Sequence, residues 1–524
     1  MNLAPTKVPL TVKEFDREVV GLCAGCGCGC GYLLYLKGEK VVDLYGHPAD
    51  RRGMGSFCTK GITYVQEAPQ NPLRLKGAFL REGENFVRIE YQKGVHLLRE
   101  KLSKGRTAFL LGREAGLEEY LLFRELGEVF VDAPVVDFAP STLEPTQWKE
   151  AKFILSVDAE PVFSEVMSTR WLVDAVERGA YLFCLSSRYE TLCAKARERL
   201  LLKPDLMVEF LLALLEPGRR DQRVDLLKKS LFLLRGALLL VGAHLLASPF
   251  REAVMHLLAQ LREKYGVNYS LVGDLMPFPA GTLEEFLDKL EEFQNVVVVG
   301  NLLRYLSDQH LESLKGRFVV SFQVFPNLSA HYCDLLFAST LFCERDFINY
   351  RHGFGYLLYS PSTLRPEAEL FSPYRVVEEA FQTSAELGRF LEGYGVDYEE
   401  LLKEREARPR FGELRRRGGY LLPTGKVFLY ADRTLVEDMG HWNPWTHEME
   451  RLQKAYVNPR TARELGLKER LKVGSAELEL QLTENVAEGV VFIPSEFEEF
   501  QPFDPGHRVG VLLKKPFQRY EVLL

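Results

Sequence analysis

Cys23-Ala24-Gly25-Cys26-Gly27-Cys28-Gly29-Cys30, followed after residues 31–57 by Cys58-Thr59-Lys60-Gly61, decides how this chain reads. The pattern is C-x2-C-x3-C, a gap of 27 residues, and a lone cysteine. Three thiolates in one short loop can wrap a corner of a cluster while a fourth arrives from a distance, which is how a cubane [4Fe–4S] cluster is usually held. Glycine between the thiols lets the loop bend tightly and aim backbone N–H groups at sulfur. Structural zinc usually pairs two short C-x2-4-C knuckles, and one triplet plus one single cysteine favours the cluster. Cys23, Cys26, Cys30 and Cys58 are the expected ligands; Cys28, between them, reads as a bystander. Nine cysteines is an odd number, and Met1–Lys13 shows neither an apolar core nor a twin arginine. Disulfides are therefore disfavoured and a cytoplasmic location is expected.

Outward from this motif, residues 15–75 form the expected cluster domain, with strands Tyr32–Lys37 and Lys40–Tyr45 flanking a turn at Gly38. From Val95 the texture changes to short apolar runs alternating with amphipathic stretches. Strands are expected at Ala108–Leu111, Phe153–Val157, Tyr181–Leu185, Ala237–Val241, Val296–Val299 and Arg317–Phe322. Helices are expected at Leu117–Leu126, Arg170–Arg178, Leu206–Leu215 and Arg251–Lys264. This alternation predicts an α/β core, doubly wound, over residues 76–403, built as two intertwined α/β subdomains. The charged stretch 404–419 reads as a linker. Short strands at Lys426–Tyr430, Leu471–Val473, Glu477–Leu482 and Val490–Ile493 then predict a C-terminal six-stranded type of β-barrel over 420–524.

Of 524 residues, 46% are hydrophobic and 27% charged, which is ordinary globular material. A net charge of −7 offers no basic footprint for nucleic acid. No run approaches the ~20 apolar residues of a membrane span. No G-x-G-x-x-G fingerprint is present, so nicotinamide chemistry would fall to a partner.

The cysteine motif with Cys58-Thr59-Lys60-Gly61 and Pro72-Leu73-Arg74 resembles the entry of the molybdopterin oxidoreductase family, formate dehydrogenase catalytic subunits in particular. Pro423-Thr424-Gly425-Lys426-Val427, His441-Trp442-Asn443-Pro444-Trp445, Val457-Asn458-Pro459 and Glu488–Pro494 are similar to that family's dinucleotide-binding barrel. Glu344 to Asn349 resembles its E-x-x-G-T-x-x-N element without the Gly-Thr.

The resemblance implies a bis-molybdopterin guanine dinucleotide carrying molybdenum or tungsten beside the [4Fe–4S] cluster. It also implies a small-molecule substrate and a redox partner subunit with further Fe–S or flavin groups. Lys60 matches the lysine between cluster and pterin; the competing reading is a surface lysine beside a glycine turn. Asp137, in Val135-Val136-Asp137-Phe138-Ala139-Pro140-Ser141, falls on the metal-ligand position, where the family's formate dehydrogenases read roughly C-H-x-P-S. An oxygen ligand suits a hard, high-valent metal, but an ordinary loop carboxylate is the alternative. Phe138 stands where the proton-transferring histidine would be, which puts formate oxidation in doubt.

Arg188, Thr191 and Asp205 match cofactor-binding positions, as do His441, Trp442, Asn443 and Asn458 of the barrel. Against this, Ser156-Val157-Asp158-Ala159-Glu160-Pro161 replaces a glycine-led phosphate loop, and its two carboxylates oppose an anion. Two further readings therefore stay open. One is an electron-relay or structural subunit that has lost the metallopterin. The other is a formylmethanofuran dehydrogenase-like subunit, against which the fused barrel counts.

Overall fold

The computed structural model describes residues 14–215, 222–233, 236–415, 419–432, 452–495, 497, 506–515 and 518–523. Its first layer is a three-stranded antiparallel sheet of Arg17–Leu22, Gly31–Lys37 and Lys40–Gly46. Gly38 turns this hairpin at φ +59°, a conformation that costs other residues steric energy. Cys58 then starts a helical run from Thr59 to Gln70 that leads the chain out.

The core holds two sheets whose strands are interleaved in sequence. The larger is ordered Gly281–Thr282, Glu128–Val131, Thr107–Leu111, Asn295–Val299, Phe318–Gln323, Leu335–Ala338, Ala78–Glu82 and Asn85–Ile89. It is parallel from Gly281–Thr282 through Leu335–Ala338, with an antiparallel hairpin at the other edge. After Val131 the chain leaves this sheet, builds a second, and returns at Gly281.

The second sheet is fully parallel, in the order Glu198–Leu201, Tyr181–Ser186, Phe153–Val157, Leu238–Gly242, Asn268–Val272. Its central strands are continuous apolar runs because both faces are covered by helices. Strand order reverses between Phe153–Val157 and Leu238–Gly242. In the larger sheet it reverses between Thr107–Leu111 and Asn295–Val299. Open α/β sheets take their ligands outside the carboxyl ends of strands at such reversals.

A hairpin of Phe347–Arg351 and Tyr356–Ser360 follows, and Glu406–Ala407, inside the stretch expected as a linker, adds a third strand to it. The C-terminal unit is a six-stranded sheet ordered Arg470–Val473, Ala476–Leu482, Ala455–Val457, Val490–Pro494, Phe428–Asp432, Tyr520–Val522. Phe428, Tyr430, Val490 and Phe492 pack into the core of the second sheet. Val427, Leu429, Ala431, Val491 and Ile493 pack into the core of the larger one. Alternate residues of a strand face opposite sides, so two strands serve both cores. Each large side chain buried in this way stabilises the junction by about 1.5–3 kcal/mol, and the C-terminal unit is fixed over the carboxyl ends of both sheets.

Candidate active site

Cys23 follows the first strand, and its N–H donates to the Cys30 carbonyl at 2.8 Å, closing the loop on itself. Cys23, Cys26 and Cys30 are buried and Cys58 is half-buried. Burial, then the neighbouring Cys26 and Cys58 thiols, pushes the Cys23 thiol far up. Burial, then Cys26, also pushes Cys58 up, to about 11, against the Gly61 and Lys60 N–H groups and the Lys60 charge. The Gly25 N–H donates to Cys23 Sγ at 3.3 Å. Thiolates buried this way need a cation of high charge beside them, and the donor set fits an iron–sulfur cluster. Among the described residues no three His, Cys, Asp or Glu side chains are gathered tightly enough for a single ion.

Among the loop glycines only Gly29 has a positive φ, +70°. Gly27 serves close approach instead, since a Cβ there would lie 2.3 Å from His352 Nε2. Cys28 is fully buried and its thiol interacts with those of Cys26 and Cys30, so the expected bystander sits among the expected ligands.

Three further residues, Arg351, His352 and Glu165, pack around the cysteine loop, and none of them carries a signal in the sequence motif. Arg351 Nη1 donates to the carbonyls of Ala24 at 3.0 Å and Cys26 at 3.2 Å. Burial lowers its pKa to about 10, opposed by the Cys23 and Cys26 thiols. His352 Nε2 faces Glu165 Oε1 at 3.3 Å, both buried. They come from a hairpin and a helical turn far along the chain, so only the tripeptide Arg351-His352-Gly353 hinted at them.

Lys60 is buried, not at the surface, and Nζ donates to the Phe163 carbonyl. Phe163 belongs to the helical turn Pro161–Ser164 beyond the second sheet's central strand. With Arg113, Asp132, Arg188, His244 and Asp432, it lines a cavity at the carboxyl ends of both sheets.

Arg188, 8% exposed, lies over the Phe492 ring at 4.6 Å and near Tyr430. Its Nε and Nη2 have no hydrogen-bond partner among the described residues, and neither does either Glu190 oxygen or Glu160 Oε1. Burial is the main force raising the Glu160 and Glu190 carboxyls. Buried guanidinium N–H groups of this kind fit a phosphate; the surrounding carboxylates do not.

Asp158 follows the strand Phe153–Val157 in a left-handed conformation, φ +48°. Its Oδ1 accepts from the Ser187 N–H at 2.9 Å, Ser187 Oγ at 2.9 Å and Ser186 Oγ at 3.0 Å. Oδ2 lies 3.1 Å from His244 Nε2 and accepts from the Tyr520 hydroxyl. Burial alone would raise this carboxyl, but His244, Tyr520 and Ser187 bring it down to about 2. In the larger sheet, Gly112 and Gly300 stand at the reversal, and Cβ atoms there would meet Glu114 Oε2 at 2.7 and 2.4 Å.

The remaining expected positions scatter. Asp137 is exposed, in a recess with Arg251 and Glu284 that shares Asp132, Pro134 and Ala247 with the main cavity. Phe138 is a core residue against Tyr269. Thr191 is exposed, and its N–H donates to Glu160 Oε2 at 2.6 Å. Asp205 pairs with Lys203 at 3.1 Å and receives the Gly425 N–H at 3.4 Å. Asn458 caps the helix Pro459–Glu464 and donates to the Val486 carbonyl. His441, Trp442 and Asn443 lie outside the described residues. Asp132 and Asp274, which line the cavity, were not singled out because strand-end carboxylates are common; Asp274 pairs with Arg113.

Residues 16–69 match the model of the molybdopterin oxidoreductase Fe4S4 domain, and residues 437–521 that of the Molydopterin dinucleotide binding domain. No curated protein sequence matches. Among solved structures the chain is similar to acetylene hydratase from Pelobacter acetylenicus. The TM-score is 0.68 at 15% identity, over 96% of this chain and 98% of that one. At that identity the likeness speaks for the fold. Among the described residues no helix is long and apolar enough to cross a membrane. The chain thus has the molybdopterin oxidoreductase fold, and its two matched domains support a [4Fe–4S] cluster and a bis-molybdopterin guanine dinucleotide as its cofactors.

Proposed function

We propose that this chain is a redox subunit that moves electrons between a pterin-bound molybdenum or tungsten centre and the cluster at Cys23, Cys26, Cys30 and Cys58. One observation carries the reading: Lys60 is buried beside Cys26 and Cys58 and donates to Phe163, on the wall of the cavity between the sheets. A single side chain therefore bridges cluster loop and cavity. Its charge favours an added electron on the cluster side and fixes the cavity wall. The metallopterin, when bound, supplies substrate chemistry in two-electron steps, and the cluster passes electrons singly.

Within this reading Asp137 is the proposed metal ligand, reached through the recess that opens from the cavity. Arg351 holds the cluster loop through two carbonyls, and Arg188 presents N–H groups to an anionic cofactor. Formate as substrate is disfavoured by Phe138, which packs in the core and carries no proton. A partner subunit with Fe–S or flavin groups would take the electrons onward from a cytoplasmic complex.

The relay reading, without metallopterin, draws support from the carboxylates around the cavity. Elemental and pterin analysis of protein purified anaerobically from a host that makes the cofactor separates the two. About four Fe with one Mo or W per chain is expected, and Asp137→Ala should then remove turnover while keeping the iron. Four Fe with neither metal nor pterin would sink the enzyme reading and leave the relay.

A further inference from the structure

We propose that Asp158 is a built-in anion that fills the phosphate-binding position of the second sheet, closing that half of the chain to a dinucleotide. This deepens the cofactor reading and rests on the cavity between the sheets being the cofactor cavity. It also limits that reading, because domain matches support two dinucleotides and at the reversal of this sheet the Asp158 carboxylate stands where the phosphate of one would lie.

The position is set by topology. Asp158 immediately follows Phe153–Val157 and His244 lies just beyond Leu238–Gly242, the two strands between which order reverses. A ligand phosphate at such a point is normally held by backbone N–H groups and small hydroxyls over a glycine turn. Those donors are all here: the Ser187 N–H, the Ser187 and Ser186 hydroxyls, the Tyr520 hydroxyl and His244 Nε2. What they surround is a side-chain carboxylate with no solvent exposure. Its backbone takes the left-handed conformation that favours glycine. Approach is blocked as well as charged. Tyr430 and Tyr520 stack at 4.3 Å over the site, and His244 packs against both rings. At Gly242 a Cβ would meet the Asp158 carbonyl at 2.1 Å, so that strand end has no room to spare.

An unpaired carboxylate repels phosphate; a carboxylate that has already taken these Ser186, Ser187, His244 and Tyr520 donors replaces it at the strand end, and Arg188 remains to hold an anion elsewhere on the cavity wall. The Tyr520 strand belongs to the C-terminal unit, so the same contact that would have gripped a nucleotide now holds the barrel to the second sheet.

Guanine nucleotide released by acid from the purified holoprotein, counted per chain beside Fe, tests this without any variant. One or none per chain is expected, and two overturns the proposal while sustaining the bis-pterin reading. Four Fe with no nucleotide removes that reading and leaves the closure in place, so the two failures are distinguishable. In a second arm Asp158→Gly places glycine at the left-handed position and vacates the carboxylate. In a calorimetric titration the full chain should bind inorganic pyrophosphate at millimolar concentration, where the parent shows no heat. Equal binding by parent and variant overturns the proposal. The nucleotide count on the parent decides it should the glycine variant fail to fold.

Discussion

Arg74 and Glu344 stand 270 residues apart and form a two-bonded ion pair at 2.6 and 2.5 Å, with side chains 2% and 4% exposed. The pair joins the exit of the cluster domain, Pro72-Leu73-Arg74, to the loop beyond the larger sheet. Arg74 Nη2 also donates to the Ser339 carbonyl, and Glu344 Oε2 accepts the Leu341 N–H. Two motifs that looked independent in the sequence are thus halves of one clamp. Removing one half leaves the other charged and buried, which costs about 3–5 kcal/mol. Glu344→Leu and Arg74→Met should each lower stability to denaturant by that order, and the double variant by less than either. Additive losses would show that the charges do not depend on each other.

The expected cluster ligands can be told from their neighbour by iron content. Cys58→Ser should lose most of its iron or change the cluster's electron paramagnetic signature, because a distant ligand has no nearby substitute. Cys28→Ser should retain about four Fe per chain. Its hydroxyl fits the same buried space beside Cys26 and Cys30, so a loss of iron there would promote Cys28 to ligand.

Lys60 offers a readout independent of turnover. Reduction adds negative charge to the cluster, and a buried ammonium nearby stabilises it. Lys60→Met should therefore move the cluster midpoint potential negative by roughly tens of millivolts, with iron content unchanged. A potential that stays in place would detach Lys60 from the cluster.

Much of this was legible because local signals agreed. The short, mainly apolar runs Phe153–Val157 and Val296–Val299, bounded by polar turns, read as buried strands, and the cysteine spacing named its own chemistry. Which strand lies beside which was not legible. The second sheet is inserted between Val131 and Gly281, and pairing partners that far apart leave no local trace. The cavity failed to read for the same reason. Asp158 looked like a residue that repels phosphate, and its donors, Ser187, His244 and Tyr520, meet only once three distant segments are in register. Arg351 and His352 reach the cluster loop from more than 300 residues away, so no spacing rule within the motif could include them.

Glu118 carries the pH dependence that is easiest to isolate. Burial and the adjacent Glu119 push its carboxyl up to about 8, against the pull of Arg345 and the Ile348 N–H. In the unfolded chain it ionises near 4.5. The folded state therefore holds a proton that the unfolded state has released. The stability associated with it is present at low pH and is lost as pH rises from about 4.5 to about 8, by at most about 1.4 kcal/mol per unit. Glu118→Gln mimics the protonated form and escapes this loss. Unfolding measured at pH 5.5 and pH 8 should show the variant gaining on the parent as pH rises. An advantage that is constant across that interval would mean Glu118 is already ionised in the folded protein, held by Arg345.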